Sequence, residues 1–270
     1  MQTNDLDLGG VTVRAVEVGP RRSPAVPLLL LHGFTGSSLD WYDVMPLLGR
    51  HRRVIAIDHR GHGDSTNLGD PASYSFDALL SDLGQAVDAL GLERFHLVGH
   101  SMGGVIAMRY ALTAREKLAS LVLVDTAAAP AGSLPTDVID NLVATGRPQG
   151  MTAVADLILT WLPAPSEVHR ERARQKLETL DVEALGAFAE ELQHYPDLLP
   201  ALGMLQLPTT VICGANDDLL PACQRLAAGI PSAELKVIAD AGHSPFEDQR
   251  EQWVALVDAH MLRAEACSAG

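Results

Sequence analysis

With 270 residues, the chain is long enough for one large domain and too short for two ordinary ones with a linker. Acidic residues outnumber basic ones 34 to 20, a formal charge of -14 that repels phosphate backbones and argues against a nucleic-acid partner. Apolar residues make up 47%, enough to cover both faces of a buried sheet, yet no run reaches the ~18 to 20 uninterrupted apolar residues of a membrane span.

Residues 1–10 are acidic and lack the basic and apolar regions of a signal peptide. The cysteines Cys213, Cys223 and Cys267 have no metal-type spacing, and Cys213 falls in an apolar strand as a small core residue. The expectation is a cytoplasmic protein, a monomer or homodimer, acting on a small molecule without membrane or nucleic acid.

Along the chain, residues 11–18 alternate like a half-exposed antiparallel strand. Residues 27–31, 54–58, 95–99, 121–125, 209–213 and 235–238 are nearly continuous apolar runs, the pattern of strands covered on both faces. Helical periodicity appears at 76–90, with Leu79, Leu80, Leu83, Val87 and Leu90 in register, at 105–112, and from 247 to about 263. Strands alternating with helices imply a parallel sheet with right-handed crossovers.

The alternation breaks once. Residues 128–207 show no strand pattern, only helical pieces at 135–144, 151–162, 166–180 and 182–194, punctuated by prolines. This predicts a helical cap, 128–207, inserted in a core made of 1–127 and 208–270. It would lie over the sheet's C-terminal edge, where ligands of open parallel sheets bind.

One strand runs straight into Gly99-His-Ser-Met-Gly103 and then a helix. A serine hydroxyl attacks only when exposed and rigidly held, and a sharp strand-to-helix turn does both. The turn crowds its neighbours, hence the glycines, and the helix start offers free amides beside a developing oxyanion. Ser101 is the candidate nucleophile.

His243, in a loop just past the last strand, is the candidate base, fixed in shape by Gly242 and Pro245. The orienting acid is read as Asp217, after the strand at 209–213, with Asp218 beside it and Asp125 at the end of the strand 121–125 as alternatives. The amides of Phe34, in the glycine-rich turn after 28–31, and of Met102 are the candidate oxyanion donors. His32, Gly33, His100 and, in the cap, Trp161 are candidate pocket residues, along with apolar cap residues Leu142, Val154, Leu157, Ile158 and Leu162.

Two further segments stand out. Asp58-His-Arg-Gly-His-Gly-Asp-Ser65 has metal-type residues, but its glycines describe a tight turn. His169-Arg-Glu-Arg-Ala-Arg-Gln-Lys176 is a basic patch, read as a solvated helix face or a guide for anionic substrates.

Leu31-His-Gly-Phe, Asp58-His-Arg-Gly-His-Gly-Asp-Ser, Gly99-His-Ser-Met-Gly-Gly, Gly214-Ala-Asn-Asp and Ala241-Gly-His243 resemble, in order, the signature segments of the α/β-hydrolase family. The resemblance implies an eight-stranded, mostly parallel sheet flanked by helices, with a helical cap inserted after the sixth strand, and neither metal nor organic cofactor. The likeness is closest to small esterases, lactonases and carbon–carbon bond hydrolases; serine at 101 argues against the haloalkane dehalogenase and epoxide hydrolase branches. Residues 31–41 also resemble the menaquinone-pathway synthase, although Val105 stands where that enzyme carries arginine. The expected activity is serine-dependent cleavage of a carboxylic ester, lactone or thioester. The rivals are a carbon–carbon hydrolase or lyase using the same triad, and a non-catalytic small-molecule receptor.

Overall fold

The computed structural model describes residues 1–131, 135–161 and 167–268. Its strands are β1 (Gln2–Asp7), β2 (Thr12–Val18), β3 (Leu28–Leu31), β4 (Val54–Ile57), β5 (Phe95–His100), β6 (Leu118–Val124), β7 (Thr209–Gly214) and β8 (Ala233–Ile238). They form one sheet in the order β1-β2-β4-β3-β5-β6-β7-β8. Only the β1–β2 and β2–β4 pairings are antiparallel; the rest are parallel.

Side chains on a strand alternate between faces, and β3 shows the consequence. Leu29 and Leu31 enter one core with Leu97, Leu79, Ile106 and Leu226, while Leu28 and Leu30 enter the other with Val98, Trp41, Met45 and Trp253. Both faces are dry, so all four positions must be apolar, as the unbroken run suggested. The strand ends differ from that pattern. β1 is polar, only partly buried and pairs with β2 from Gln2↔Glu17 to Asp7↔Thr12, which no hydrophobic period announces. β8 closes the other edge, and its Val237 is 43% exposed, so the expected double cover is absent there.

The helices are α1 (Met45–Leu48), α2 (Phe76–Ala89), α3 (Met102–Thr113), α4 (Thr136–Gln149), α5 (Met151–Ile158), α6 (Glu167–Glu178), α7 (Val182–His194), α8 (Leu199–Leu202), α9 (Leu220–Gly229), α10 (Pro245–Asp248) and α11 (Arg250–Ser268). α2 starts where the Ser75 hydroxyl accepts from Ala78 N at 3.1 Å. Helices α2, α3 and α9 feed the first core, and α1, α10 and α11 the second. None of the described helices is long and apolar enough to cross a membrane.

Helices α4–α8 all fall between β6 and β7, and among the described residues of 128–207 there is no strand. The expected pieces at 151–162 and 166–180 are realised as α5 and α6; Leu162 and residues 163–166 lie outside the described residues. Asp181 ties the insertion to the core. Its carboxylate accepts from Glu183 N (2.9 Å), capping α7, and from Gly69 N (2.8 Å) and the Tyr74 hydroxyl of the core. Phe188 of α7 packs 5.6 Å from the His62 ring.

Candidate active site

β5 delivers His100 to the sheet edge, and α3 begins at Met102, so Ser101 alone must turn the chain. It does so at φ 51, ψ -118, a conformation that costs a non-glycine residue about 1–3 kcal/mol. The surroundings hold it there: Ser101 N donates to Val124 O (2.9 Å), and Ser101 O accepts from the Thr126 hydroxyl (2.8 Å) and Gly104 N (2.9 Å). A Cβ on Gly103 would stand 2.6 Å from Leu31 O and closer still to His32 O; one on Gly99 would overlap the Gly103 carbonyl. Glycine at both positions lets strand, turn and helix touch.

His243 follows β8. Its Nδ1 donates to Asp217 Oδ2 at 2.8 Å, and Asp217 Oδ1 accepts from Leu219 N at 3.1 Å. The loop that carries the imidazole is pinned from below. His100 Nε2 donates to His243 O (2.7 Å), and Gly242 N donates to Asp248 Oδ2 (2.8 Å). Complete burial and the neighbouring His243 push the His100 pKa down to about 3, so the ring is neutral and, with its proton on Nε2, leaves Nδ1 bare. His100 therefore aims its ring under His243, 4.8 Å between centroids.

Of the three acids left open by the sequence, Asp217 meets the imidazole. Burial opposes its charge, but His243 and Asp125 beside it together hold its carboxyl well below the usual carboxylate range. Asp218 lines the cavity without such a bond. Asp125 lies behind Asp217, fully buried at φ 43, with Oδ1 accepting from Gly214 N at 2.9 Å.

Ser101, Asp217 and His243 line one cavity of about 390 Å³, whose remaining wall includes Phe34, Val105, Ile139, Leu192, Tyr195 and Leu219. A second cavity, about 360 Å³, opens on the other side of Phe34, Thr35 and His243 and is lined by Gly33, His100, Asp40, His169, Lys176 and Glu247. Hollows of about 480 and 560 Å³ elsewhere on the surface contain none of the three residues. The amides of Phe34 and Met102 donate to no acceptor among the described residues, which leaves both available to a ligand oxygen.

Gly33 and His100 are thus cavity residues, whereas His32 and Trp161 line neither cavity. His32 is wholly buried, its Nδ1 donating to Gly33 O (2.8 Å) and its Nε2 accepting from His59 N (2.9 Å), so it shapes the loop from inside. Trp161 is 54% exposed. Leu142 and Val154 are buried in the core instead of facing the cavities, and neither Leu157 nor Ile158 lines them. Residues 58–65 form a turn built around Asp58, which accepts from Ser38 N (2.6 Å) and Asp64 N (3.0 Å).

The basic patch is a solvated face only in part: Arg174 stays half-exposed, whereas Arg172 and Lys176 turn towards the core. Arg172 pairs with Asp43 (2.7 Å), Arg174 with Asp156 (2.7 Å), and Lys176 sits between Asp40 and Glu247. Periodicity marks α6 as charged but carries no sign that Arg172 and Lys176 face acids of the core. Tyr195, whose hydroxyl donates to Ala127 O at 3.0 Å beside the first cavity, was likewise unannounced.

The family described as alpha/beta hydrolase fold matches residues 26–249. The chain belongs to the α/β-hydrolase family. A 2-hydroxy-6-oxononadienedioate/2-hydroxy-6-oxononatrienedioate hydrolase from Pseudomonas putida is 30% identical over 248 residues, 86% of each chain. The dihydrolipoyllysine-residue acetyltransferase component of an acetoin cleaving system, also from Pseudomonas putida, is 30% identical over 91% of this chain; the chain spans only 65% of that relative. A thermophilic esterase from Thermogutta terrifontis superposes with a TM-score of 0.83 at 27% identity, covering 98% of this chain and 99% of its own. This α/β-hydrolase is thus an enzyme-type chain, similar to an esterase and to a 2-hydroxy-6-oxononadienedioate hydrolase.

Proposed function

We propose that the protein is a serine hydrolase that cleaves a carboxylic ester, lactone or thioester of a small to medium, partly apolar substrate. The observation that carries this reading is the 2.8 Å bond from His243 Nδ1 to Asp217, in a cavity shared with a serine on a strained turn. In this reading helices α4–α8 act as the cap over the cavity.

The chemistry follows from the atoms. The Asp217 carboxylate fixes the proton on His243 Nδ1, leaving Nε2 as the base. As Ser101 Oγ attacks the carbonyl carbon, Nε2 takes its proton, and the amides of Phe34 and Met102 receive the oxyanion. The imidazolium then protonates the departing oxygen or sulfur, giving the acyl-serine. Water, deprotonated by His243, attacks that ester and restores the hydroxyl. Val105, Ile139, Leu192 and Leu219 give the first cavity an apolar wall suited to an acyl chain.

A second reading, carbon–carbon bond hydrolysis, is favoured by the Pseudomonas putida relative and by the charged residues Asp40, Lys176 and Glu247 in the second cavity against His243. A panel of nitrophenyl esters of rising acyl length, lactones and a vinylogous diketone, run with Ser101→Ala, tests both. The expected outcome is ester or lactone turnover that falls at least ~10⁴-fold in kcat in the variant, with an unchanged unfolding curve. Equal rates in both forms refute covalent catalysis, and turnover confined to the diketone selects the second reading.

A further inference from the structure

The site holds a second carboxyl that the reaction above does not use. Asp125 directly follows β6 at φ 43, in the left-handed region that aspartate and asparagine enter more readily than other non-glycine residues. Its Oδ1 is fixed by Gly214 N, while Oδ2 is sealed from solvent and meets no hydrogen-bond partner among the described residues. One oxygen of Asp125, one of Asp217 and the Cys213 sulfur lie within 4.8 Å of one another.

The groups facing this carboxyl are Asp217, Cys213 on β7 and, next to that thiol, Cys223 on α9, with His243 beyond Asp217. Neither carboxyl has a lysine or arginine partner among the described residues. Two carboxyls this close and this buried cannot both stay ionised, so they share one proton. Asp217 keeps the charge, because an imidazole and the Leu219 amide donate to it; Asp125 has one amide.

We propose that Asp125 is a positioning residue: protonated on Oδ2, it donates to the Asp217 carboxylate and thereby fixes the oxygens that orient His243. This rests on reading Ser101, His243 and Asp217 as the catalytic set. Burial, and then the neighbouring Asp217, push the Asp125 pKa up to about 9, which keeps the proton in place at neutral pH. When Asp125 ionises, the donor is lost and a second negative charge faces Asp217.

Two variants separate the roles. Asp125→Asn keeps a donor but cannot ionise; Asp125→Leu keeps the branched shape, with larger methyl groups, and loses the donor. With a nitrophenyl ester, Asp125→Asn is expected to stay within about threefold of the parent, and Asp125→Leu to lose about tenfold in kcat at unchanged KM, the size of one hydrogen bond to a charged group. In the parent, kcat falls as pH rises through about 9, and Asp125→Asn lacks that fall. If Asp125→Leu does not fold, the parent–Asn comparison carries the test alone.

A readout independent of turnover is the His243 Nδ1 proton in NMR spectra, recorded in the Ser101→Ala background. It is expected to broaden above about pH 9 while Asp125 is in place, and to persist once Asp125→Asn is added. Persistence in both, an alkaline limb common to parent and Asp125→Asn, or full activity in Asp125→Leu overturns the proposal. Activity that survives Ser101→Ala instead sinks the serine reading, and the NMR comparison still judges Asp125.

Discussion

The loops at the sheet's C-terminal edge and the helices between β6 and β7 are held by different forces. At the edge, backbone meets backbone: Gly103 abuts the carbonyls of Leu31 and His32, and Gly214 those of Ala241 and Gly242. The inserted helices are held largely by replaceable side chains, among them Arg172 on Asp43, Lys176 against Asp40, and Asp181 on Gly69 and Tyr74. In the proposed reading the reacting groups sit where no atom can be added, while Ile139, Leu192 and Tyr195 of the inserted segment supply a part of the cavity wall that can be exchanged. One framework can therefore keep its reaction while its substrate range changes.

The sharpest way to break this contrast is Gly103→Ala. Its φ is not the obstacle; the new methyl is driven onto two carbonyl oxygens that cannot yield without moving β3 or α3. The expected cost is about 3 kcal/mol in urea unfolding. A displaced Ser101 turn should also lower kcat about 100-fold. A variant with parental stability and rate would show that the edge is softer than its contacts imply.

A smaller effect is expected from Lys176→Met in α6. Removing the ammonium leaves Asp40, whose side chain is only 6% exposed, with an uncompensated charge. The loss should be about 2 kcal/mol of stability, with kcat for small esters changed less than threefold because neither group touches the first cavity. KM for substrates with polar leaving groups should move instead, since Lys176 lines the second cavity. An effect on kcat as large as that of Gly103→Ala would erase the distinction between the two regions.

The same contrast explains what could be read from the sequence. The inner strands were legible because both faces are apolar, and the turn at Ser101 because glycine is dictated at Gly99 and Gly103 by contacts of the backbone itself. β1 was not, since an edge strand of Gln, Thr, Asn and Asp forms by pairing with β2 and buries little. Nor was the second cavity, whose Lys176, Asp40 and Glu247 come from segments far apart in sequence. The acid was read as Asp217, but Asp218 and Asp125 stayed open as alternatives. Asp125 and Asp217 follow neighbouring strands, and only their placement in space distinguishes the one bonded to His243 from the one behind it.

The claim beneath all of this is that Ser101 becomes acylated. Mixing the protein with a bulky nitrophenyl ester, quenching within the first turnovers and mapping peptide masses tests it directly. The account predicts one acyl group on the peptide containing Ser101, and none after Ser101→Ala. Ester turnover with no acylated Ser101 at any time point would contradict it.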